Sequence, residues 1–231
     1  MLVTVLVIIL GLVPGLAWLA FYLREDLRHP EPKKLIFYAF MGGALITVFV
    51  LQAQIFIHDF LVSLGYTSYG FTSFLLLGGA EEFFKFLAVY LVVSKRKDFN
   101  EPLDAMIYMI VASLGFATVE NVASILQTTS LPLGSPGPLE TTILRFVGAT
   151  LLHTLSSGLV GYYWGKAMVK KSGYAGMITR GILIATLLHA IFNYLIMKSE
   201  PVAVPLVFLV FVALFILYDF EKLKQAEEQK V

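Results

Sequence analysis

Seven long apolar stretches follow one another along the chain, separated by short polar connections. A helix that crosses a bilayer needs about 20 mostly apolar residues, and each stretch approaches or exceeds that length. The pattern therefore predicts an all-α fold, a polytopic transmembrane helix bundle of about seven spans. The predicted spans are residues 2–23, 35–57, 71–94, 103–126, 142–164, 178–197 and 202–218.

The composition agrees with a bilayer as the main solvent. Of the 231 residues, 58% are hydrophobic and 14% are charged, which is more apolar than soluble domains usually are. No shift in composition marks a second, soluble domain, so we expect one membrane-embedded domain at 1–219 and a cytoplasmic tail at 220–231. The sequence thus predicts a multi-pass protein of the cell membrane, with the lipid bilayer as its surroundings.

The cysteine content and the net charge bear on two further classes of function, thiol chemistry and nucleic-acid binding. The chain has no cysteine, which excludes a thiolate metal site and a cysteine nucleophile. Its net charge of +1 gives no basis for attraction to nucleic acid, so no nucleic-acid partner is expected.

Lysine and arginine are distributed unevenly between the predicted connections. Of the 17 basic residues, fourteen fall in the first, third and fifth connections and in the C-terminal tail. These segments share one side of a seven-span bundle, and cytoplasmic loops are the ones that carry excess Lys and Arg. The distribution therefore predicts an N-terminus outside the cell and a C-terminus in the cytoplasm.

Three glutamates and two histidines nevertheless lie well inside the predicted spans. A charged group at the centre of a bilayer costs several kcal/mol, so such residues normally face the bundle interior and serve a function. Helical rise places all five about 9 to 16 Å beneath the outer face, although they come from four different spans. We therefore predict one polar layer that contains the catalytic residues Glu81, Glu82, Glu120, His153 and His189.

Helical spacing adds partners to this layer. A residue four positions along a helix lies on the same face, which gives Glu81 and both histidines a polar neighbour. Two adjacent carboxylates with one ammonium leave a net negative charge, which a bound cation or protonation would relieve. A carboxylate can act as a general base on water, and imidazoles can ligate a metal or stabilise an oxyanion. The supporting residues predicted are Lys85, Ser157 and Asn193 at this spacing, together with Asn121, which directly follows Glu120.

Four short motifs occur in order, each in a separate predicted span. Residues 81–85 read EEFFK, 116–120 read FATVE, 153–157 read HTLSS and 189–193 read HAIFN. These runs resemble the EExxK, FxxxE, HxxxS and HxxxN motifs of the PrsW family, which is related to the CAAX prenyl endopeptidases and the abortive-infection proteins. The resemblance implies an intramembrane protease that makes the first (site-1) cut in a membrane-anchored anti-sigma factor, near its extracytoplasmic side, during a stress response.

The resulting hypothesis is a membrane-embedded endopeptidase that acts on a single-span membrane protein. Glu81 is the principal base that activates water, Glu82 and Lys85 adjust its charge, and the remaining catalytic residues complete the site. Zn²⁺ is one candidate cofactor, because two imidazoles plus a carboxylate make a tetrahedral set with an open position. The metal ligands expected for that version are Glu120, His153 and His189. Metal-free glutamate chemistry with an imidazole oxyanion donor fits the sequence equally.

The residues inside the predicted spans also bear on other kinds of membrane protease and on transport. No aspartate lies mid-span, which excludes a paired-aspartate protease, and the HExxH zinc motif is absent. Ser157 and His189 resemble a serine–histidine dyad, but a dyad would leave the glutamates unused. A buried ion pair around Lys85 could also serve packing alone. The main alternative is a proton- or cation-coupled small-solute transporter, which also holds carboxylates and histidines at mid-depth.

Overall fold

A computed structural model describes residues 2–24, 30–128 and 135–228 of the chain. All regular secondary structure in these residues is helical, which confirms the predicted all-α fold. The basic residues Arg28 and Lys230, counted above for orientation, lie outside the described part. The eight described helices are α1 (Leu2–Tyr22), α2 (Lys33–Ser63), α3 (Phe71–Val93), α4 (Pro102–Thr128), α5 (Pro138–Val147), α6 (Ala149–Lys170), α7 (Tyr174–Lys198) and α8 (Ala203–Glu228).

Six helical stretches in the described residues are long and apolar enough to cross a membrane. They are α1, α2, α4, the combined stretch of α5 and α6, α7 and α8. The remaining predicted span, α3, has 23 residues and a length of about 35 Å, which exceeds a hydrocarbon core of about 30 Å. It differs from the other helices because it carries Glu81, Glu82 and Lys85. The bundle is therefore polytopic, as the apolar pattern predicted.

The span predicted at residues 142–164 lies within the stretch Pro138–Lys170, but that stretch is not one continuous helix. The structure has two helices there, because the chain breaks at Gly148, whose φ of −106° and ψ of −93° are not helical. A side chain at this position would meet the carbonyl oxygen of Leu144, so glycine permits the break. The break leaves α5 as a short amphipathic helix that exposes Leu139 and Ile143.

Several helices run past their predicted ends. Helix α2 continues to Ser63, and α7 begins at Tyr174. The predicted tail at 220–231 begins as a continuation of α8, which is helical to Glu228, and the last three residues lie outside the described part. Helices extend beyond an apolar stretch because the intrahelical hydrogen bonds continue into the polar boundary of the bilayer.

Helix α4 forms the centre of the bundle. It packs against α1, α2 and α6, and its residues from Pro102 to Thr118 are all buried. Small residues allow the close approach: a side chain on Gly43 of α2 would collide with the backbone carbonyl of Ala112 in α4. A helix that is apolar on every side belongs in such a core. Helix α4 thereby presents Glu120, near its C-terminal end, to the helices that carry the other ionisable residues.

The outer faces of the bundle suit a lipid surrounding. Helices α1, α2 and α8 expose large apolar side chains, among them Phe49, Phe56 and Phe215. Contiguous apolar exposure of this extent is rare in soluble monomers. The polar residues instead face inward, where α3 packs against α2 and α7, and α6 packs between α4 and α7.

Candidate active site

Glu82 on α3 is the most enclosed carboxylate of the polar layer, with no exposed surface. Its Oε1 accepts hydrogen bonds from Lys85 Nζ (2.9 Å), Ser156 Oγ (2.9 Å) and His189 Nδ1 (3.1 Å). Its Oε2 accepts one from Ser157 Oγ at 3.1 Å. Four donors from three helices therefore hold this carboxylate, which ties α3 to α6 and α7.

Lys85, one turn further along α3, is also completely buried. Its ammonium lies 2.8 Å from Nδ1 of His153 and 3.4 Å from Oε2 of Glu81, in addition to its bond to Glu82. The same ammonium sits 4.5 Å from the ring centre of Phe116, at cation–π distance. An ammonium has three N–H donors, and these three polar partners use all of them.

His153 connects α6 to α4 and α5. Its Nε2 is 2.9 Å from Oε2 of Glu120, and the same carboxylate oxygen accepts a hydrogen bond from Arg145 at 3.2 Å. Arg145 also donates to Oδ1 of Asn121 at 2.5 Å, and Asn121 donates to Thr150 at 3.1 Å. The short helix α5 thus supplies the Arg145 guanidinium, which binds the same Glu120 carboxylate that lies on Nε2 of His153.

Glu81 has a different environment from its neighbour. Its Oε1 accepts a hydrogen bond from Gln54 Nε2 of α2 at 2.9 Å. Its Oε2 faces two imidazole nitrogens, His153 Nδ1 at 3.8 Å and His189 Nε2 at 3.7 Å. Glu81 is therefore the carboxylate that faces Nδ1 of His153 and Nε2 of His189, which we call the inner nitrogens. The outer nitrogens are Nε2 of His153 and Nδ1 of His189.

The hydrogen-bond partners fix the tautomers of both histidines. Lys85 donates to Nδ1 of His153, so the ring proton is on Nε2 and is donated to Glu120. Nδ1–H of His189 is donated to Glu82, which leaves a lone pair on Nε2 when this imidazole is neutral. Each histidine therefore donates its outer N–H to a carboxylate, and its inner nitrogen carries a lone pair, which in His153 accepts the hydrogen bond from Lys85.

This arrangement fits a metal site. The ligand atoms of Glu81, His153 and His189 lie within 4.8 Å of one another. Ligands bound to Zn²⁺ at about 2.0–2.1 Å in a tetrahedron are about 3.3–3.5 Å apart, close to the separations from Glu81. Metal-ligating histidines also typically donate their outer N–H to a carboxylate, as both do here. The Lys85 ammonium uses the same nitrogen of His153, so a metal and this ammonium are alternative partners for it.

The carboxylate in this group differs from the expected one. Glu120, predicted as a metal ligand together with the two histidines, lies instead on the outer nitrogen of His153 and against Arg145. Glu81 takes the inner position. Spacing within each helix could not distinguish the two carboxylates, because the side of the imidazole that each one meets depends on how α4 and α3 pack against α6.

A cavity of about 270 Å³ lies between α2 and α4. Its wall combines apolar residues with polar side chains that touch the cluster, namely Gln54, Glu120 and Arg145. Two of these wall residues connect it to the site by hydrogen bonds, Gln54 to Glu81 and Glu120 to His153.

The structure joins most of the predicted residues in a single hydrogen-bonded network. The two exceptions to direct contact are Asn121, which is linked through Arg145, and Asn193. Asn193 is half-buried one turn after His189 and makes no side-chain hydrogen bond within the described part of the chain. The residues in the network are Glu81, Glu82, Lys85, Glu120, His153, Ser157 and His189.

Sequence reasoning missed the contacts of Gln54 and Arg145. Arg145 was counted only among the basic residues, and Gln54 was not predicted as a site residue. A signal was present for Gln54, because an amide in the middle of an apolar span needs a partner just as a charged group does. The partner could not be named, since the contact joins residues 27 positions apart on two helices.

Comparisons with known proteins agree with the motifs. A family model described as PrsW family intramembrane metalloprotease matches residues 31–218. A protease PrsW of Geobacillus kaustophilus (strain HTA426) is 31% identical over 192 residues, which cover 82% of this chain and 79% of the relative. A protease PrsW of Oceanobacillus iheyensis is 28% identical over 222 residues, 96% of each chain. The protease PrsW of Bacillus subtilis (strain 168) is 26% identical over 223 residues, 96% of this chain and 97% of the relative.

No solved structure matches the chain. The family assignment therefore rests on sequence, and the network above is compatible with it, since one glutamate and two histidines inside the bundle form a group that could hold a metal ion. The family model spans most of the chain, and the Geobacillus relative shares nearly a third of the aligned residues. The chain belongs to the PrsW family of intramembrane metalloproteases, and it is a membrane-embedded endopeptidase of the cell membrane.

Proposed function

We propose that the chain makes the first cut in a single-span anti-sigma factor, near the extracytoplasmic side of the membrane, in stress-responsive regulated intramembrane proteolysis. The observation that carries the proposal is the position of Oε2 of Glu81, 3.8 Å from Nδ1 of His153 and 3.7 Å from Nε2 of His189, in a buried group that could hold a metal ion. The family membership supports a membrane protein as the substrate, and the resemblance in the four motifs supports the anti-sigma factor.

Glu81 is the general base in this proposal. Its Oε1 is held by Gln54, which leaves Oε2 to accept a proton from a water molecule placed between it and the histidines. The proton is then available for the leaving amine. Glu82 and Lys85 support the step by fixing His189 and by balancing part of the negative charge.

The proposed cofactor is Zn²⁺. The inner nitrogens of His153 and His189 would hold it next to Glu81, since these groups lie close enough together to share a metal ion. Glu81 would remain the base beside the ion and would not be a ligand. When bound, the ion supplies a Lewis acid that activates water and polarises the scissile carbonyl. Glu120 and Glu82 orient the two rings from behind by accepting their outer N–H groups.

The position of the cut follows from the depth of the layer. Glu81 lies ten residues after the start of α3 at Phe71, about 15 Å by helical rise. With the orientation expected from the basic residues, that end of α3 faces the outside. We therefore infer that substrates are cut close to their extracytoplasmic boundary, by a domain at 1–219 that precedes a cytoplasmic tail.

A cleavage assay in detergent tests the proposal. Candidate single-span anti-sigma factors, each tagged at both ends, are incubated with the purified wild type and with Glu81→Gln. We expect two fragments with the wild type and a loss of at least about 1000-fold in rate with Glu81→Gln, because an amide cannot accept the proton from water.

The matched control is Glu221→Gln, which makes the same chemical change on an exposed residue of α8 and should cleave like the wild type. Full cleavage by Glu81→Gln would overturn the assignment of the base. Absence of cleavage by the wild type, together with ion-dependent solute uptake into vesicles, would replace the protease proposal with the transporter.

A further inference from the structure

Gln54 is a polar residue in the middle of a helix whose outer face is strongly apolar. Its neighbours in α2 include Phe56, which is 73% exposed, and Leu51, which is 53% exposed. Gln54 itself is half-buried and turns its amide inward, where Nε2 donates to Oε1 of Glu81. An amide placed in such a helix needs a hydrogen-bond partner, because lipid supplies none.

The depth of the two residues agrees with this contact. Gln54 lies nine residues before the end of α2 at Ser63, and Glu81 lies ten residues after the start of α3 at Phe71. Helical rise puts both about 14 to 15 Å from the same end of the α2–α3 hairpin. The hydrogen bond therefore follows from the antiparallel pairing of the two helices and does not depend on a distortion of either.

We infer that Gln54 is a positioning residue that holds the Glu81 carboxylate in its reactive orientation. This inference rests on the proposed function, in which Glu81 is the base. Gln54 binds one carboxylate oxygen, and the other oxygen is the one that faces His153 and His189. The amide thus determines which oxygen of Glu81 is presented to water.

The contacts of Glu81 explain why it needs this partner. Glu82 is held by four donors, and its orientation is settled without help from α2. Among the residues that the structure describes, Glu81 accepts just two hydrogen bonds, the 2.9 Å bond from Gln54 and a longer 3.4 Å bond from Lys85. The last torsion of a glutamate side chain is broad, so a carboxylate without Gln54 would rotate away from the productive geometry.

The chemistry of an amide suits the role. Gln54 donates an N–H without bringing a further positive charge to a cluster that already holds the Lys85 ammonium. It also borders the cavity between α2 and α4, so a substrate contact is the other role that its position allows. A substrate-binding role would affect KM, whereas a positioning role affects kcat, and the two can be separated by kinetics.

The test compares Gln54→Met with Gln52→Met in the cleavage assay described above. Methionine has nearly the length of glutamine and no N–H donor, and Gln52 is an exposed residue of the same helix. We expect kcat of Gln54→Met to fall about 10- to 100-fold with KM within about twofold of the wild type, because a misplaced reactive group typically costs that much. Gln52→Met should match the wild type in both constants.

Gln54→Leu serves as a second variant in case methionine disturbs the fold. It removes the donor and leaves an apolar side chain that needs no hydrogen-bond partner, so kcat should fall about as far as in Gln54→Met. Thermal unfolding of each purified variant provides the measure of folding.

Each outcome decides the inference. A kcat within twofold of the wild type in a folded Gln54 variant overturns it, and so does a raised KM with unchanged kcat, which would make Gln54 a substrate contact. If the wild type does not cleave at all, the proposed function fails and this inference fails with it. Cleavage by the wild type with normal kcat in Gln54→Met removes the positioning role alone.

Discussion

Glu81 and Glu82 are adjacent in the sequence, but the bundle gives them different environments. Glu82 accepts hydrogen bonds from one ammonium, two hydroxyls and one imidazole, whereas Glu81 turns one oxygen toward two imidazoles. Helical spacing predicted that both face the bundle interior and that Lys85 lies beside them. It could not predict which carboxylate meets the imidazoles, because that depends on the rotation of α3 against α6 and α7.

A prediction about single residues concerns the zinc content of the purified protein. Purified wild-type protein should hold about one zinc ion per chain, since two imidazole lone pairs and a carboxylate converge. His153→Ala and His189→Ala should each lower the zinc content to background, as measured by elemental analysis. The control is His58→Ala, which removes an exposed histidine of α2 and should leave the zinc content unchanged.

A wild type without stoichiometric zinc, whose cleavage survives strong chelators, would remove the zinc proposal. Glutamate chemistry without a metal would then be the remaining version of the protease.

At the scale of the elements, the apolar pattern located the helices well and the break between α5 and α6 poorly. Gly148 gave little warning, because glycine is common inside membrane helices and the residues on both sides are apolar. The positions of the spans were predictable, since a helix needs about 20 mostly apolar residues to cross the bilayer. The contacts between α5 and the site were not, since Arg145 and Glu120 are 25 residues apart.

Helix α5 yields a testable consequence through Arg145. Replacing Arg145 with Gln removes the guanidinium that binds Glu120 and should cost about 1 to 2 kcal/mol, discounted because both side chains are partly exposed. We expect a midpoint of thermal unfolding lower by a few degrees and slower cleavage, since His153 loses a fixed partner behind its ring.

Arg180→Gln is the matched control, because Arg180 is exposed on α7. If Arg145→Gln has the same unfolding midpoint and the same cleavage rate as the control, the contact between α5 and Glu120 has no energetic importance.

For the whole molecule, the bundle is arranged around α4, and the polar network lies where α3, α4, α6 and α7 meet. The fold class was predictable because only helices and closed barrels satisfy the backbone inside lipid, and the apolar stretches have helix length. The orientation of the bundle rests on the basic residues and stays a prediction.

Reporter fusions test that orientation. A fluorescent protein fused to the C-terminus should fluoresce, because it would fold in the cytoplasm. Alkaline phosphatase should be active when inserted in the connection at 64–70, which we expect outside, and inactive in the connection at 95–100. The reverse pattern would contradict the predicted orientation and the extracytoplasmic position of the cut.

The placement of Lys85 also has a consequence for biogenesis. Chains are synthesised from the N-terminus, and Ser156 and His189, which bind Glu82 in the finished bundle, follow it by 74 and 107 residues. Lys85 follows it by only three and lies on the same face of the same helix. Nascent α3 therefore brings its own counter-charge into the lipid before its later partners exist, which lowers the cost of inserting two adjacent glutamates.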